Sequence, residues 1–140
     1  MTKRLFLLIT VIFSLFVVSC DKVYINGDLD GMWQLQKVEG IESIEYPEGI
    51  YYSFQRHMVQ VGKYYSEGIP LRFIGNLDYH GDTITISGLR KFLEEEKTCT
   101  PQELEMFYLY NENVIFGIEK LSDEVLVLKG NDRLYTLHKW

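Results

Sequence analysis

Alternating apolar and polar positions run through most of the chain after residue 30. In the segment GMWQLQKV, which starts at residue 31, this pattern places Trp33, Leu35 and Lys37 on one face. Similar segments follow at IYYSFQ, MVQVGKYY, LRFIGNLDY, TITIS, VIFGIEKL, EVLVLKG and RLYTLHKW. Because successive strand side chains point to opposite faces, the pattern predicts about eight strands joined as a meander. Such a chain must either stack two sheets or close one into a barrel.

One segment has a different pattern. The stretch TPQELEMFYLY at 100–110 begins with Thr100 as a helix cap, Pro101 at the first helical position and Glu103 in the first turn. Its apolar side chains recur at helical spacing: Leu104, Phe107 and Tyr108. We therefore predict one short helix between the strands, and a hairpin strand is the alternative.

The first nineteen residues differ from the rest in composition. Lys3 and Arg4 precede a fifteen-residue run without charge, from Leu5 to Ser19. A membrane-spanning helix needs roughly 20 apolar residues, so this run is too short to cross a bilayer. It is typical of the apolar region of a secretory signal peptide, and a retained N-terminal anchor helix is the alternative.

The end of that run carries a more specific signal. Val17-Val18-Ser19-Cys20 resembles the lipobox of bacterial lipoproteins, in which an aliphatic residue and a small residue precede the cysteine. The resemblance implies that Cys20 becomes the first mature residue, with a diacylglycerol on its sulfur and a further acyl chain, such as palmitate, on its amine. Two or more acyl chains hold a protein stably at a membrane, whereas one does so only marginally.

These signals divide the chain into three parts. Residues 1–19 are the expected lipoprotein signal peptide, 20–30 the lipidated cysteine and a polar tether, and 31–140 the barrel domain. The expected location is the bacterial cell envelope, anchored by lipid at the outer membrane, on a face that the sequence does not specify.

The start and the end of the barrel segment resemble a known family. Gly31-Met32-Trp33 is similar to the Gly-x-Trp opening of lipocalins, and FGIEKLSDEVLVLKGNDRLYTLHKW resembles the last three strands of lipocalin-like domains in Bacteroidota lipoproteins. The resemblance implies an eight-stranded antiparallel barrel. If that barrel closes, its first and last strands pair, and residue 33 lies near residue 139. We expect Lys139, the nearest candidate for the family's late arginine, to cover the ring of Trp33; the alternative is a plain core Trp33 and a solvated Lys139.

Charge and cysteine content narrow the partners. The formal net charge falls from −6 to −8 once Lys3 and Arg4 leave with the leader, and an acidic domain repels nucleic acid. Lipidation of Cys20 would leave Cys99 alone in an oxidising compartment. Its acidic neighbours in EEEKTCTP raise rather than lower a thiol pKa, so we expect a small buried hydrophobe and not a nucleophile.

No motif for catalysis or metal binding is found. The sequence holds no Gly-x-Ser-x-Gly, phosphate-binding glycine loop or His-Glu-x-x-His, and His57, His80 and His138 lack ligand spacing. The segment NGDLDG at 26–31 imitates the start of a calcium loop, but Lys37 stands where a bidentate acid is required. We therefore expect no enzyme activity, no cofactor and no resident metal; weak calcium association with the tether is left open.

Binding is the remaining expectation. The middle strands carry five aromatic residues as candidate pocket residues for a small hydrophobic or amphipathic ligand: Tyr52, Phe54, Tyr64, Phe73 and Tyr79. An eight-stranded interior is also small enough to be filled by side chains alone. Two functions stay open: an envelope lipoprotein that binds a small ligand, and a packed barrel that acts as a protein-interaction module.

Overall fold

The computed structural model describes residues 2–3, 25–40, 43–45, 47, 49–64, 67–68, 70–94 and 97–140. Its strands are β1 (Gly31–Glu39), β2 (Ile44–Glu45), β3 (Ile50–Gln55), β4 (Met58–Lys63), β5 (Leu71–His80), β6 (Thr83–Lys91), β7 (Val114–Leu121), β8 (Val125–Gly130) and β9 (Arg133–Lys139). A 3₁₀ turn covers Gly27–Leu29, and the helix α1 covers Pro101–Glu105. Within these ranges, no helix has the length and apolar composition that spanning a bilayer requires.

The sheet closes on itself. Apart from the two-residue β2, which is added beside β1, each strand pairs antiparallel with its neighbours in the order β1-β3-β4-β5-β6-β7-β8-β9. The last strand returns to the first, with Trp33 opposite Lys139 and Leu35 opposite Leu137. This confirms the predicted all-β fold, an eight-stranded antiparallel barrel. Closure pairs the first and last barrel strands with each other, so neither is left as an open edge of the barrel.

A bulge in β1 changes which side chains face inward. The register against β9 shifts between Leu35 and Lys37, so the alternation restarts after the bulge. Val38 points into the core at 2% exposure. Lys37 lies outside, with its Nζ 3.1 Å from Glu39 Oε1. The prediction that Lys37 shares a face with Trp33 was therefore wrong, because the sequence pattern does not show the extra residue.

Helix α1 begins as predicted but ends early. Thr100 Oγ1 accepts a hydrogen bond from the Glu103 N–H, and the Glu103 side chain accepts one from the Thr100 N–H. The chain then turns at Tyr108, whose φ of 59° is left-handed, and the Leu109 N–H reaches back to the Leu104 carbonyl. One short helix is therefore present as predicted, but Phe107 and Tyr108 lie beyond it, so the helical spacing assigned to these two residues was wrong.

The barrel has two different ends. The base is the end formed by the 3₁₀ turn and the β3–β4, β5–β6 and β7–β8 turns. The mouth is the opposite end, where the plug, defined as residues 100–110, connects β6 to β7. Both ends contribute buried side chains to one continuous core, among them Leu29 at the base and Phe107 at the mouth.

Candidate functional site: the barrel interior and its plugged mouth

Three of the five candidate pocket residues meet inside the barrel. Tyr52, Phe54 and Phe73 point inward from β3 and β5 and are at most 1% exposed. Tyr79 is only partly buried and packs against the same core. Tyr64 follows β4, and its ring meets the outward-facing Tyr51 edge-on, with centroids 5.2 Å apart. The interior aromatics therefore contact other protein side chains, and Tyr64 is separate from them.

The plug supplies the side chain that fills the mouth. Phe107 is fully buried, and its ring meets Phe73 edge-on, with centroids 5.4 Å apart and an interplanar angle of 84°. Leu104 and Leu109 are buried beside it. The sequence shows that these plug side chains are apolar, but it does not show that they pack in the barrel mouth. Phe107 lies in the barrel mouth against Phe73, and its carbonyl accepts the bond from Tyr52.

Polar bonds fix the plug to the barrel wall. The Tyr52 hydroxyl donates to the Phe107 carbonyl at 2.6 Å. Arg133 Nη1 donates to the Tyr108 carbonyl at 3.0 Å, and the Tyr135 hydroxyl donates to the same oxygen. Buried backbone carbonyls need hydrogen-bond partners, and these side chains supply them where the chain leaves the helix.

Burial raises the pKa of two of these hydroxyls. Desolvation is the main cause for Tyr52, whose pKa lies well above its usual value, and the neighbouring Tyr135 raises it further. Burial also raises the pKa of Tyr135, while the hydrogen bond and charge of Arg133 lower it. Both hydroxyls therefore stay protonated, and act as donors to the plug, at neutral pH.

We expect Tyr52→Phe to lower the free energy of unfolding by about 1–3 kcal/mol, because it leaves a buried carbonyl without its donor. The effect should depend on pH. A raised folded-state pKa means that the contribution is complete below the ordinary value of 10.0 and is lost as the pH rises towards the folded-state value. Urea unfolding at about pH 8 and pH 11 measures both effects. Tyr51→Phe, on the outer face, is the control; an equal loss in both variants contradicts the assignment.

The base is closed by Trp33 and Lys139. Trp33 is fully buried, and its Nε1–H donates to the Leu29 carbonyl at 2.8 Å. Lys139 Nζ lies 4.8 Å from the centroid of the Trp33 ring and donates to the Asp28 carbonyl at 2.7 Å. The 3₁₀ turn, which belongs to the expected tether, therefore covers the base of the core.

We expect Lys139→Met to lower the free energy of unfolding by about 0.5–2 kcal/mol, through loss of the cation–π contact and of the bond from Nζ to the Asp28 carbonyl. Methionine keeps most of the apolar stem of Lys139, so the variant tests the contribution of the ammonium group. Lys129→Met, at an exposed position on β8, is the matched control. Equal unfolding free energies for Lys139→Met and the parent would contradict a stabilising role of the Lys139 ammonium.

Chemistry at the other candidate positions is limited. Among the described residues, no three His, Cys, Asp or Glu side chains converge as a metal site. The Asp30 carboxylate accepts bonds from the backbone and side chain of Asn26, so it caps the 3₁₀ turn.

Burial raises the pKa of Cys99 to about 12, and the charges of Glu103 and Glu112 contribute. Cys20 lies outside the described residues.

Open grooves lie outside the filled interior. One of about 490 Å³ runs beside the plug, where Leu104 and Leu109 line it together with Arg133 and the acidic Glu105 and Glu112. Another of about 330 Å³ lies at the base between the 3₁₀ turn and Trp140. Both are open to solvent, so a partner that uses them meets the outer surface of the barrel.

This geometry defines a class of protein: a small closed antiparallel barrel that begins with Gly-x-Trp and holds buried aromatic side chains in its interior. A family model described as a lipocalin-like domain matches residues 13–140. The chain belongs to the lipocalin-like domain family.

Two solved structures resemble the chain. A lipocalin-like protein from Bacteroides uniformis ATCC 8492 is 25% identical, with a TM-score of 0.66 over 81% of this chain and 100% of that one. An uncharacterized protein from Bacteroides eggerthii DSM 20697 shares the fold at 20% identity, with a TM-score of 0.66 over 80% of this chain and 99% of that one. No curated protein matches the chain.

Proposed function

We propose that this chain is a membrane-anchored lipoprotein of the bacterial cell envelope whose packed barrel works through its outer surface as a non-catalytic interaction module. The observation that carries the proposal is the burial of Phe107 against Phe73 in the barrel mouth. A lipocalin-like barrel that holds a ligand needs interior space. Here the plug takes that space, which leaves the outer wall and the open grooves as the surfaces for recognition.

The sequence supports the membrane anchor. The lipobox-like Val17-Val18-Ser19-Cys20 follows a charged start and an uncharged run, and the polar segment after it leads directly into the barrel. Similarity to a lipocalin-like protein of Bacteroides is consistent with a bacterial envelope protein. The absence of a catalytic motif in the sequence supports a binding role rather than a chemical one.

A mass measurement tests the anchor. Protein isolated from the membranes of its native cells should begin at Cys20 and carry the mass of acyl chains, and Cys20→Ser should abolish both that mass and membrane retention. A mature chain with an unmodified sulfur at position 20 contradicts the anchor.

Melting measurements test the filled interior. A ligand present at 100 times its Kd adds about 2.7 kcal/mol to stability, so binding gives a clear shift. Fatty acids, lysophospholipids and small apolar compounds are expected to leave the melting temperature of the protein unchanged. A specific, saturable rise of the melting temperature with one compound contradicts the proposal of an interaction module. It supports ligand binding in the interior.

Ligand binding is the second candidate, and one observation favours it. The plug contains a single short helix, and the inward-facing side chains of the wall hold it through two backbone carbonyls, those of Phe107 and Tyr108. At its edges, Glu103 pairs with Lys91 and the Tyr110 hydroxyl donates to the Ile115 carbonyl. A small apolar ligand that displaced Phe107 would find Tyr52, Phe54 and Phe73 as its lining. If this is the function, weakening the ties with Tyr52→Phe should strengthen ligand binding, because opening the plug then costs less.

A further inference from the structure

The base of the barrel carries an exposed apolar surface on one side. We define the base rim as Ile25, Met58 and Trp140, which are 48%, 55% and 77% exposed. They come from three separate parts of the chain. Ile25 lies two residues before the 3₁₀ turn, Met58 is the first residue of β4, and Trp140 follows β9. The mouth carries three exposed apolar side chains as well: Leu93, Tyr110 and Ile115. Exposure alone therefore does not distinguish the two ends, and the position of the membrane anchor does.

Hydrogen bonds bring these three parts together. The Asn26 side chain, next to Ile25, donates to the Arg56 carbonyl in the β3–β4 turn at 2.8 Å, just before Met58. The Trp140 N–H donates to the Met32 carbonyl at 2.9 Å. The 3₁₀ turn and Trp140 also line the same groove of about 330 Å³. The residues of the base rim therefore lie on the same side of the base, the side formed by β1, β3 and β4.

Trp140 is exposed but held in position. Its ring meets Tyr51 of β3 edge-on, with centroids 5.5 Å apart, and Tyr51 in turn contacts Tyr64. A ring that is already ordered loses little entropy on binding. Tryptophan and tyrosine, with an apolar body and a polar tip, are the side chains that favour the boundary between membrane and water.

Charge is divided across the base. On the side of the base rim stand the exposed cation Arg56, the ammonium of Lys139 and the carboxylate of Asp28. The β5–β6 and β7–β8 turns on the other side carry the acids Asp82, Asp123 and Glu124, and the end of β5 carries Asp78 beside His80. An anionic membrane surface repels the acidic side of the base. The side formed by β1, β3 and β4 is therefore expected to face the membrane.

The length of the chain before the barrel identifies the partner. Five residue steps join Cys20 to Ile25, and they span at most about 17 Å when fully extended. A strand of ten residues, tilted as in small barrels, spans roughly 25 Å along the axis. An acyl group on Cys20 therefore holds the base near the bilayer, while the mouth lies farther away than the tether can reach.

We propose that the base rim inserts into the headgroup region of the membrane that holds the lipid anchor, so that the barrel sits upright with its plugged mouth away from the bilayer. The proposal rests on the proposed acylation of Cys20. It assigns the base to lipid and leaves the mouth, with its groove of about 490 Å³, for a partner in the aqueous compartment.

Tryptophan fluorescence tests this orientation in the acylated full-length product, reconstituted in phosphatidylethanolamine–phosphatidylglycerol vesicles. Trp140 reports on the base, and Trp140→Phe gives the background of the buried Trp33. The matched control carries Trp140→Phe together with Leu93→Trp, which moves the exposed reporter to the mouth, where Leu93 is 83% exposed. Lipids brominated on their acyl chains should quench Trp140 several-fold more strongly than the reporter at 93, and acrylamide should show the reverse order.

The outcomes separate the two proposals. Intact acyl mass with Trp140 as open to acrylamide as the reporter at 93 overturns the orientation alone. Shielding of Trp140 that grows with protein density, without quenching by brominated lipid, also overturns it, since the rim is then covered by a second copy. A chain without acyl mass overturns the anchor and the orientation together.

Discussion

Phe107→Ala is expected to lower the free energy of unfolding by about 3–5 kcal/mol, the usual cost of removing a buried aromatic ring. The ring is fully buried and packs edge-on against Phe73 at the centre of the mouth. The Tyr52 bond goes to the backbone carbonyl of residue 107, so the variant keeps that bond and removes only the packing. Urea unfolding measures the loss, and Leu93→Ala at an exposed position should stay within about 0.5 kcal/mol of the parent.

The same variant should acquire a binding activity. An apolar cavity left by a deleted ring stays dry and accepts small apolar molecules. Benzene-sized compounds should therefore raise the melting temperature of Phe107→Ala and leave that of the parent unchanged. If the parent and the variant bind such compounds equally well, Phe107 does not fill the interior.

Trp33→Ala is expected to cost a similar amount, about 3–5 kcal/mol, because the side chain closes the base. The variant removes a fully buried ring, its hydrogen bond to the Leu29 carbonyl and the surface over which Lys139 lies. Leu93→Ala, at a residue 83% exposed, is again the control, with an expected change within about 0.5 kcal/mol.

A double-mutant cycle isolates the contact with Lys139. In the Trp33→Ala background, Lys139→Met should cost less than it does in the parent, because the ring beneath the ammonium is gone. Equal costs in both backgrounds mean that Lys139 stabilises the base only through its bond to the Asp28 carbonyl.

The sequence predicted the fold where local pattern and strand pairing agree. Two-residue alternation identified all eight barrel strands, and the Gly-x-Trp start and the terminal strand identified the pair that closes them. The N-terminal half of the helix was also predictable, because Thr100 and Glu103 cap it through side chains close in sequence.

Elsewhere the sequence pattern was insufficient for physical reasons. The bulge after Leu35 depends on the partner strand and leaves no local mark, so Lys37 was assigned to the wrong face. Tyr108 adopts a left-handed conformation that normally favours glycine, so the end of the helix was not visible.

The filled mouth was the least predictable feature. It requires Phe107 to meet Phe73 and Tyr52 across long separations in sequence, and aromatic content is the same for a packed interior and for a pocket. Sequence pattern identified Tyr52, Phe54 and Phe73 as candidate pocket residues together with Tyr64 and Tyr79, but it could not say which of the five face inward or what they contact. That question is decided by tertiary packing alone.

The central claim is that the plug occupies the barrel, and one measurement tests it most directly. Nuclear Overhauser contacts between the rings of Phe107 and Phe73 can be recorded with and without a saturating mixture of fatty acids and small apolar compounds. The account predicts the same contacts in both samples, as the separation of 5.4 Å between ring centroids requires. Loss of these contacts when the mixture is added would show that the plug gives way to a ligand, and would contradict the account.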